Sequence, residues 1–179
     1  MSSRTVLSGS DIDRAVTRIA HEIVESNQGT ENLIILGIPT RGVLLAERIA
    51  KVLERSYPDF SPDSSLGRLD ITMYRDDLAA HPTREVTETQ IPSDGVDDKV
   101  VVLVDDVLFS GRTIRAALDA LGDYGRPRAV RLAVLVDRGH RQLPIRADFV
   151  GKNLPSSVAE RIRVQLSETD SDNSVVIEG

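Results

Sequence analysis

Three blocks of nearly continuous apolar residues punctuate a mixed chain: Asn32-Leu-Ile-Ile-Leu-Gly37, Val100-Val-Val-Leu-Val104 and Ala129 to Val136. Short runs of this kind, rich in valine and isoleucine, predict strands buried on both faces of a parallel sheet. Between them the apolar period lengthens to that of a helix. Ile12, Val16, Ile19 and Ile23 form one stripe, with Ser10 as the expected N-cap and Asp13 in the first turn. Leu44, Leu45, Ile49, Val52 and Leu53 form a second over about 43–55. A third covers 114–121 and is closed by Gly122 and Gly125. The alternation at 69–74, and the short apolar runs at 164–166 and 175–177, predict further strands. Strand–helix alternation of this order predicts an α/β fold with a parallel sheet of doubly wound type.

Each apolar block runs into a polar loop at its carboxyl end, where open α/β sheets place their ligand crevice. The second block runs directly into Asp105 and Asp106, and then into Ser110, Gly111, Arg112 and Thr113 before a helix begins. Gly111 lets main chain approach an anion closely, and N–H groups at a helix start attract negative charge. Ser110 and Thr113 add hydroxyl donors. Two carboxylates beside an anion cradle would repel the anion if aimed at it. They make sense facing hydroxyls or a metal ion on the other side of the same ligand, as in a ribose that carries a 5'-phosphate. The first block repeats the design through Ile38-Pro-Thr-Arg-Gly42, where Thr40 and Arg41 offer donors to the crevice. Residues 56–67 read as a surface connection. The polar stretch 75–98 is long for a structureless connection, which points to a functional loop, with 86–90 as one arm of a two-stranded ribbon. The acidic turn 168–172 reads as solvated.

Composition narrows the class. A chain of 179 residues suits one domain spanning 1–179, and its 40% hydrophobic and 28% charged content is that of an ordinary globular protein. No apolar run approaches the roughly 20 residues needed to span a bilayer, and no leader pattern is visible, so no membrane association is expected. The absence of cysteine excludes disulfides and thiolate chemistry and agrees with a cytoplasmic setting. Three scattered histidines make a dedicated transition-metal site unexpected. Net charge is −6, yet 126–163 carries nine Arg or Lys against Asp137, Asp148 and Glu160. Such asymmetry marks either an anionic partner or a basic face that pairs with an acidic one in an oligomer.

The stretch Lys99 to Thr113 resembles the PRPP-binding motif of the type I phosphoribosyltransferases. It is close to the version in the PyrR family, whose members regulate pyrimidine operons and act as uracil phosphoribosyltransferases. The resemblance covers nearly the whole chain. It implies the type I fold: a mostly parallel central sheet flanked by helices, a flexible loop, and a small hood from about 137–179 with the N-terminal segment. It assigns PRPP to Asp105, Asp106, Val107, Leu108, Phe109, Ser110, Gly111, Arg112 and Thr113, with pyrophosphate at Thr40 and Arg41 and a further contact at Arg75. Asp105, Asp106 and Arg41 take the catalytic roles. Uracil is implied near Val136, Asp137 and Arg138, largely through main chain, with Val164 beside it. Magnesium is expected with PRPP, held mainly by PRPP and water rather than by a protein metal cluster.

The same resemblance implies a second role. Members bind a hairpin in the leader of pyrimidine mRNA, and uridine nucleotides (UMP, UTP) raise the affinity. The corresponding positions are Thr17, Arg18 and His21 on the first helix, Thr40, and His140, Arg141, Arg146 and Lys152 in the hood. Basic and hydroxyl groups of this kind suit phosphate and loop-base contacts. Aromatic residues make up 3% of the chain, too few for a stacking platform. A homodimer or higher oligomer is implied. Two functional classes follow: a nucleotide-sensing RNA regulator that is also an enzyme, or a salvage nucleobase phosphoribosyltransferase without an RNA role.

Overall fold

The computed structural model describes residues 2–77 and 86–179. Five strands form one parallel sheet in the order β3-β2-β4-β5-β6: β2 (Leu33–Gly37), β3 (Leu66–Arg68), β4 (Val100–Leu108), β5 (Ala129–Asp137) and β6 (Phe149–Asn153). The apolar blocks supply its three central strands because both faces are covered. Leu33, Ile35, Val102, Val104, Ala133 and Leu135 face α1 (Gly9–Asn27) and α2 (Arg41–Ser56). Ile34, Leu36, Val101, Leu103, Leu132 and Val134 share the other core with α4 (Arg112–Gly122). Period-two alternation thus survives within each run, with both phases apolar.

A second sheet is antiparallel, in the order β1-β8-β7, and joins β1 (Ser3–Leu7), β8 (Ser174–Glu178) and β7 (Arg161–Gln165). Its Leu7, Val164 and Val175 enter the same core as α1 and α2. This sheet fastens the N-terminal segment to the C-terminal one.

Several elements differ from the sequence expectation. The N-cap of α1 is Ser8, two residues earlier than the expected Ser10. Ser8 accepts from the Asp11 N–H, and the Asp11 carboxylate accepts from the Ser8 N–H, a reciprocal capping box. The strand expected at 69–74 lies earlier, at β3, after the single turn α3 (Pro62–Ser65). At Thr72–Tyr74 the chain makes a 3-10 turn, because Asp70 Oδ1 accepts from the Thr72 N–H at 3.3 Å and its hydroxyl at 2.7 Å. Leu69 and Ile71 are buried in the core on the α4 side, so their alternation reflects packing of a loop. Of the ribbon expected at 86–90, one antiparallel bridge forms, between Arg68 and Gln90. The rest of the expected mobile loop lies partly outside the described residues. The second central strand runs on through both aspartates to Leu108, so the acids belong to the strand itself.

Candidate active site

The chain just past β2 and the carboxyl end of β4 open onto two adjoining clefts, of about 280 and 370 Å³. Arg75, Asp105, Val107 and Thr113 line both. Asp106, Thr40, Arg41 and Asp70 line only the larger, whereas Leu108, Phe109, Ser110, Gly111 and Arg112 line only the smaller. The PRPP set therefore converges on one crevice, divided by Asp105 and Arg75.

The paired acids are held by their own backbone. Asp105 Oδ1 accepts from the Asp106 N–H at 2.8 Å, and Asp106 Oδ1 accepts from the Val107 N–H at 2.8 Å. Asp105 is 8% exposed, and Asp106 is half-buried. Burial pushes the Asp105 carboxyl well above the ordinary carboxylate range, the negative charge of Asp106 adds to this, and Arg75 opposes it. A carboxyl so placed gains from any hydroxyl donor or cation that enters the cleft.

Beyond the acids, Gly111 adopts φ +94°, a conformation that suits glycine, and caps α4. A Cβ there would lie 3.1 Å from the Ile145 side chain. The first helical bond runs from the Arg115 N–H to the Gly111 carbonyl. The N–H groups of the first turn therefore have no intrahelical acceptor, the arrangement an anion cradle needs, and the Arg112 N–H donates to Ser110 Oγ at 3.3 Å. In the other loop the Pro39–Thr40 peptide is cis. A Cβ on Gly42 would stand 2.4 Å from the Val104 carbonyl, so α2 starts in backbone contact with β4. That approach carries Thr40 and Arg41 to the mouth of the larger cleft.

Each cleft arginine is already paired with a carboxylate. Arg41 grips Asp170 at 2.8 and 3.2 Å, and this draws the turn at 168–172 onto α2. Arg48 pairs with Glu168 beside it. The acidic turn expected to be solvated is instead docked, and Arg41 and Arg48 hold the carboxyls of Asp170 and Glu168 below their ordinary range. Arg75 binds Asp77 at 2.8 and 2.9 Å. Arg112 binds Asp76 at 2.8 Å and Gln142 at 2.8 Å. Asp70, Asp76, Asp77, Gln142 and Asp170 were not anticipated. Their only sequence signal is an Arg-Asp-Asp run at 75–77 and the acidity of 168–172.

The loop after β5 is bonded to the end of β4: the Arg138 N–H donates to the Leu108 carbonyl, and the Gln142 and Leu143 N–H groups donate to the Ser110 carbonyl. Asp137 Oδ1 accepts from the Gly139 N–H, and its Oδ2 accepts from Arg141 at 2.5 Å. Arg138 is 8% exposed and donates to Ser156 Oγ and to the Ser157 and Glu160 carbonyls, with its guanidinium 4.3 Å from the Phe109 ring centre. Its side chain thus ties the loop after β5 to the stretch 156–160. Val136 is fully buried. Val164 is 3% exposed and packs in the core with Leu7 and Val175. Val136, Asp137, Arg138 and Val164, the positions expected around a base, line neither cleft.

The basic set divides in two. Arg18 donates to the Val150 and Gly151 carbonyls, which seats the exposed Thr17–His21 face of α1 beside β6 and its exposed Lys152. His21 Nδ1 lies 2.8 Å from the Tyr57 hydroxyl, and His140 Nε2 lies 2.5 Å from the Ser156 carbonyl. Arg146 is exposed just before β6. Arg141, by contrast, is turned inward, donating to the Phe109 and Ile145 carbonyls at 2.8 Å each as well as to Asp137. Thr40 is exposed at the cleft mouth.

Asp70, Asp105 and Asp106 bring to the larger cleft the hard oxygen donors that magnesium prefers. Among the described residues, no group of three or more His, Cys, Asp or Glu is disposed to hold a metal ion. Among the described residues no helix is long and apolar enough to cross a membrane.

Comparison with known proteins places this geometry in context. The phosphoribosyl transferase domain family matches residues 3–168. The protein named "Bifunctional protein PyrR" from Streptomyces coelicolor is 63% identical over 175 residues, covering 98% of this chain and 89% of that one. Its namesake from Leifsonia xyli subsp. xyli is 64% identical, covering 99% and 98%, and the Mycobacterium tuberculosis protein of that name is 52% identical, covering 98% and 93%. Among solved structures, a hypoxanthine-guanine phosphoribosyltransferase from Bacillus anthracis superposes with TM-score 0.71 at 17% identity, covering 98% of each chain. A Trypanosoma cruzi hypoxanthine phosphoribosyl transferase gives 0.70 at 15%, covering 98% and 91%. At such identities these two structures speak to the fold alone.

Proposed function

Since the chain belongs to the phosphoribosyl transferase domain family, and within it to the PyrR proteins, we propose that it transfers the ribosyl 5'-phosphate of PRPP to uracil, giving UMP and pyrophosphate. We propose equally that it binds pyrimidine-operon leader mRNA under the control of uridine nucleotides. The observation that carries the reading is the convergence of the acid pair, the Gly111 cradle and the Thr40–Arg41 loop on one crevice.

The chemistry follows from charge. Breaking the bond between ribose carbon 1 and pyrophosphate builds positive charge on the sugar and negative charge on the leaving group, so catalysis is positioning and electrostatic stabilisation. First-turn N–H groups of α4, with the Ser110 and Thr113 hydroxyls, anchor the 5'-phosphate. Asp105 and Asp106 accept from the ribose hydroxyls and lie on the side where cationic character grows. Arg41, Arg75 and the Thr40 hydroxyl receive the pyrophosphate. Main chain at 136–138 faces the base, which Arg138 and Arg141 hold in place through their bonds to the hood. Asp70, Asp105 and Asp106, which line the larger cleft, would hold a magnesium ion brought in with PRPP, and such an ion would neutralise the pyrophosphate charge.

The RNA surface combines the Thr17, Arg18 and His21 face of α1 with His140, Arg146 and Lys152, and Thr40 lies at the cleft mouth. Arg141 supports this face from inside. A homodimer would double the surface for a hairpin, and a cytoplasmic location fits both ligands.

An assay of uracil with PRPP, run beside a gel shift of leader RNA with and without UMP, tests the reading. UMP formation and a UMP-strengthened shift are expected. Arg146→Ala with Lys152→Ala should weaken the shift and flatten its salt dependence while UMP synthesis persists. Absence of UMP formation sinks the enzymatic half, and RNA affinity indifferent to that pair sinks the surface.

A further inference from the structure

The smaller cleft contains a contradiction. Ser110–Thr113, read as an anion cradle, and the carboxylates of Asp76 and Asp77 line the same cleft. A dianionic 5'-phosphate would meet carboxylates across its own site. Arg112 balances one of these carboxylates. Its NH1 donates to Asp76 Oδ2 at 2.8 Å, and its Nε donates to Gln142 Oε1 at 2.8 Å. Both partners of the ion pair remain about half exposed, at 44% and 45% for the side chains, so water and an incoming anion can reach them. Neighbouring Asp77 is differently occupied, in a two-pronged pair with Arg75.

We infer that Asp76 is an internal competitor for the phosphate cradle, a carboxylate that holds Arg112 until a 5'-phosphate displaces it. This inference rests on the reading of Ser110–Thr113 as the ribose 5'-phosphate site. Displacement is an exchange of one anion for another on the same guanidinium. A dianion that also collects the first-turn N–H groups of α4 wins that exchange, because the hydrogen bond from Arg112 to Asp76 does not engage those donors. A weakly binding small anion does not. Asp76 therefore sets the affinity for phosphorylated ribose and raises the threshold against monoanions. Gln142 is neutral and keeps Arg112 oriented through the exchange.

Calorimetric titration of the full chain with ribose 5-phosphate, and separately with inorganic phosphate, tests this without requiring base or turnover. Asp76→Asn should bind ribose 5-phosphate about two- to fivefold more tightly than the unaltered protein, the scale of an exposed ion pair. The gain should shrink as salt is raised, since the competing pair is screened. Gln142→Ala removes a neutral partner and should bring no gain. In an Arg112→Gln background, Asp76→Asn should change nothing. An unchanged or weakened affinity in Asp76→Asn overturns the inference. So does a gain that persists without Arg112, because Asp76 would then act only as a distant charge. If the unaltered protein binds no ribose 5-phosphate at all, it is the assignment of the cradle that fails.

Discussion

Asp105 shows how one residue serves the site at a cost to the fold. It is buried and faces the charge of Asp106, and the Asp106 N–H and Arg75 relieve it only in part, so its carboxyl titrates well above the ordinary value of 3.8. The sign follows from linkage. In the range between 3.8 and the raised value the folded state holds more protons than the unfolded state, so this group's contribution to stability falls as pH rises. Asp105→Asn removes that loss. The urea midpoint of the variant relative to the unaltered protein should therefore rise between acid and neutral pH, and a constant difference across that range would deny the burial cost. Catalysis should move the other way. Asp105→Asn with Asp106→Asn is expected to cut the rate of UMP formation by about 100-fold or more, the scale set by loss of a preorganised electrostatic group. Circular dichroism should be unchanged, and full activity in that double variant would remove both residues from the mechanism.

At the scale of elements, the site depends on how close loops can pass to strands. Gly42 is the clearest case. A methyl group there would meet the Val104 carbonyl at 2.4 Å, and that oxygen already accepts from the Ile38 N–H at 2.9 Å. Gly42→Ala must push the start of α2 away from β4. A stability loss of about 1–3 kcal/mol is expected in urea unfolding, as for other overpacked sites. The KM for PRPP should rise with it, because Thr40 and Arg41 ride on that helix start. Unaltered stability would mean that α2 is free to shift. The Ser8–Asp11 capping box acts at the same scale, fixing where α1 begins and hence which of its residues face β6.

For the molecule as a whole, the antiparallel sheet and the turn at 168–172 decide how the hood meets the crevice. Arg41–Asp170 and Arg48–Glu168 are the fasteners. Their hydrogen bonds hold both carboxyls below the ordinary values of 3.8 and 4.5. Their contribution is therefore present above those values and is lost as pH falls through the depressed ones. Glu168→Gln with Asp170→Asn should lower the melting temperature at neutral pH by about 2–6 °C, allowing for solvent screening of part-exposed pairs. The difference from the unaltered protein should close at acid pH. A gap that stays constant with pH would assign the loss to something other than these ion pairs. Because Arg41 faces the larger cleft as well, the same variant links hood docking to pyrophosphate affinity.

The central strands, the three long helices and the loops bearing Asp105, Asp106, Gly111 and Arg41 were legible in the chain, since apolar runs, helical stripes and turn residues act locally. β1, β3 and β6 were not, because strands at an edge or in a small sheet carry little hydrophobic signal of their own and exist through pairing with a neighbour. The same limit hid the partners of the cleft arginines. A sequence specifies that Arg41, Arg112 and Arg141 carry charge and that Asp170, Asp76 and Asp137 oppose it, but a pairing across 129 residues, as for Arg41 and Asp170, depends on folding geometry. Local chemistry thus determined which strand ends and loops would carry the cleft's acids, hydroxyls and glycine turn. Tertiary packing alone decided which cations reach the crevice and which are held by the protein's own carboxylates, because charge acts through distance in space and not along the chain.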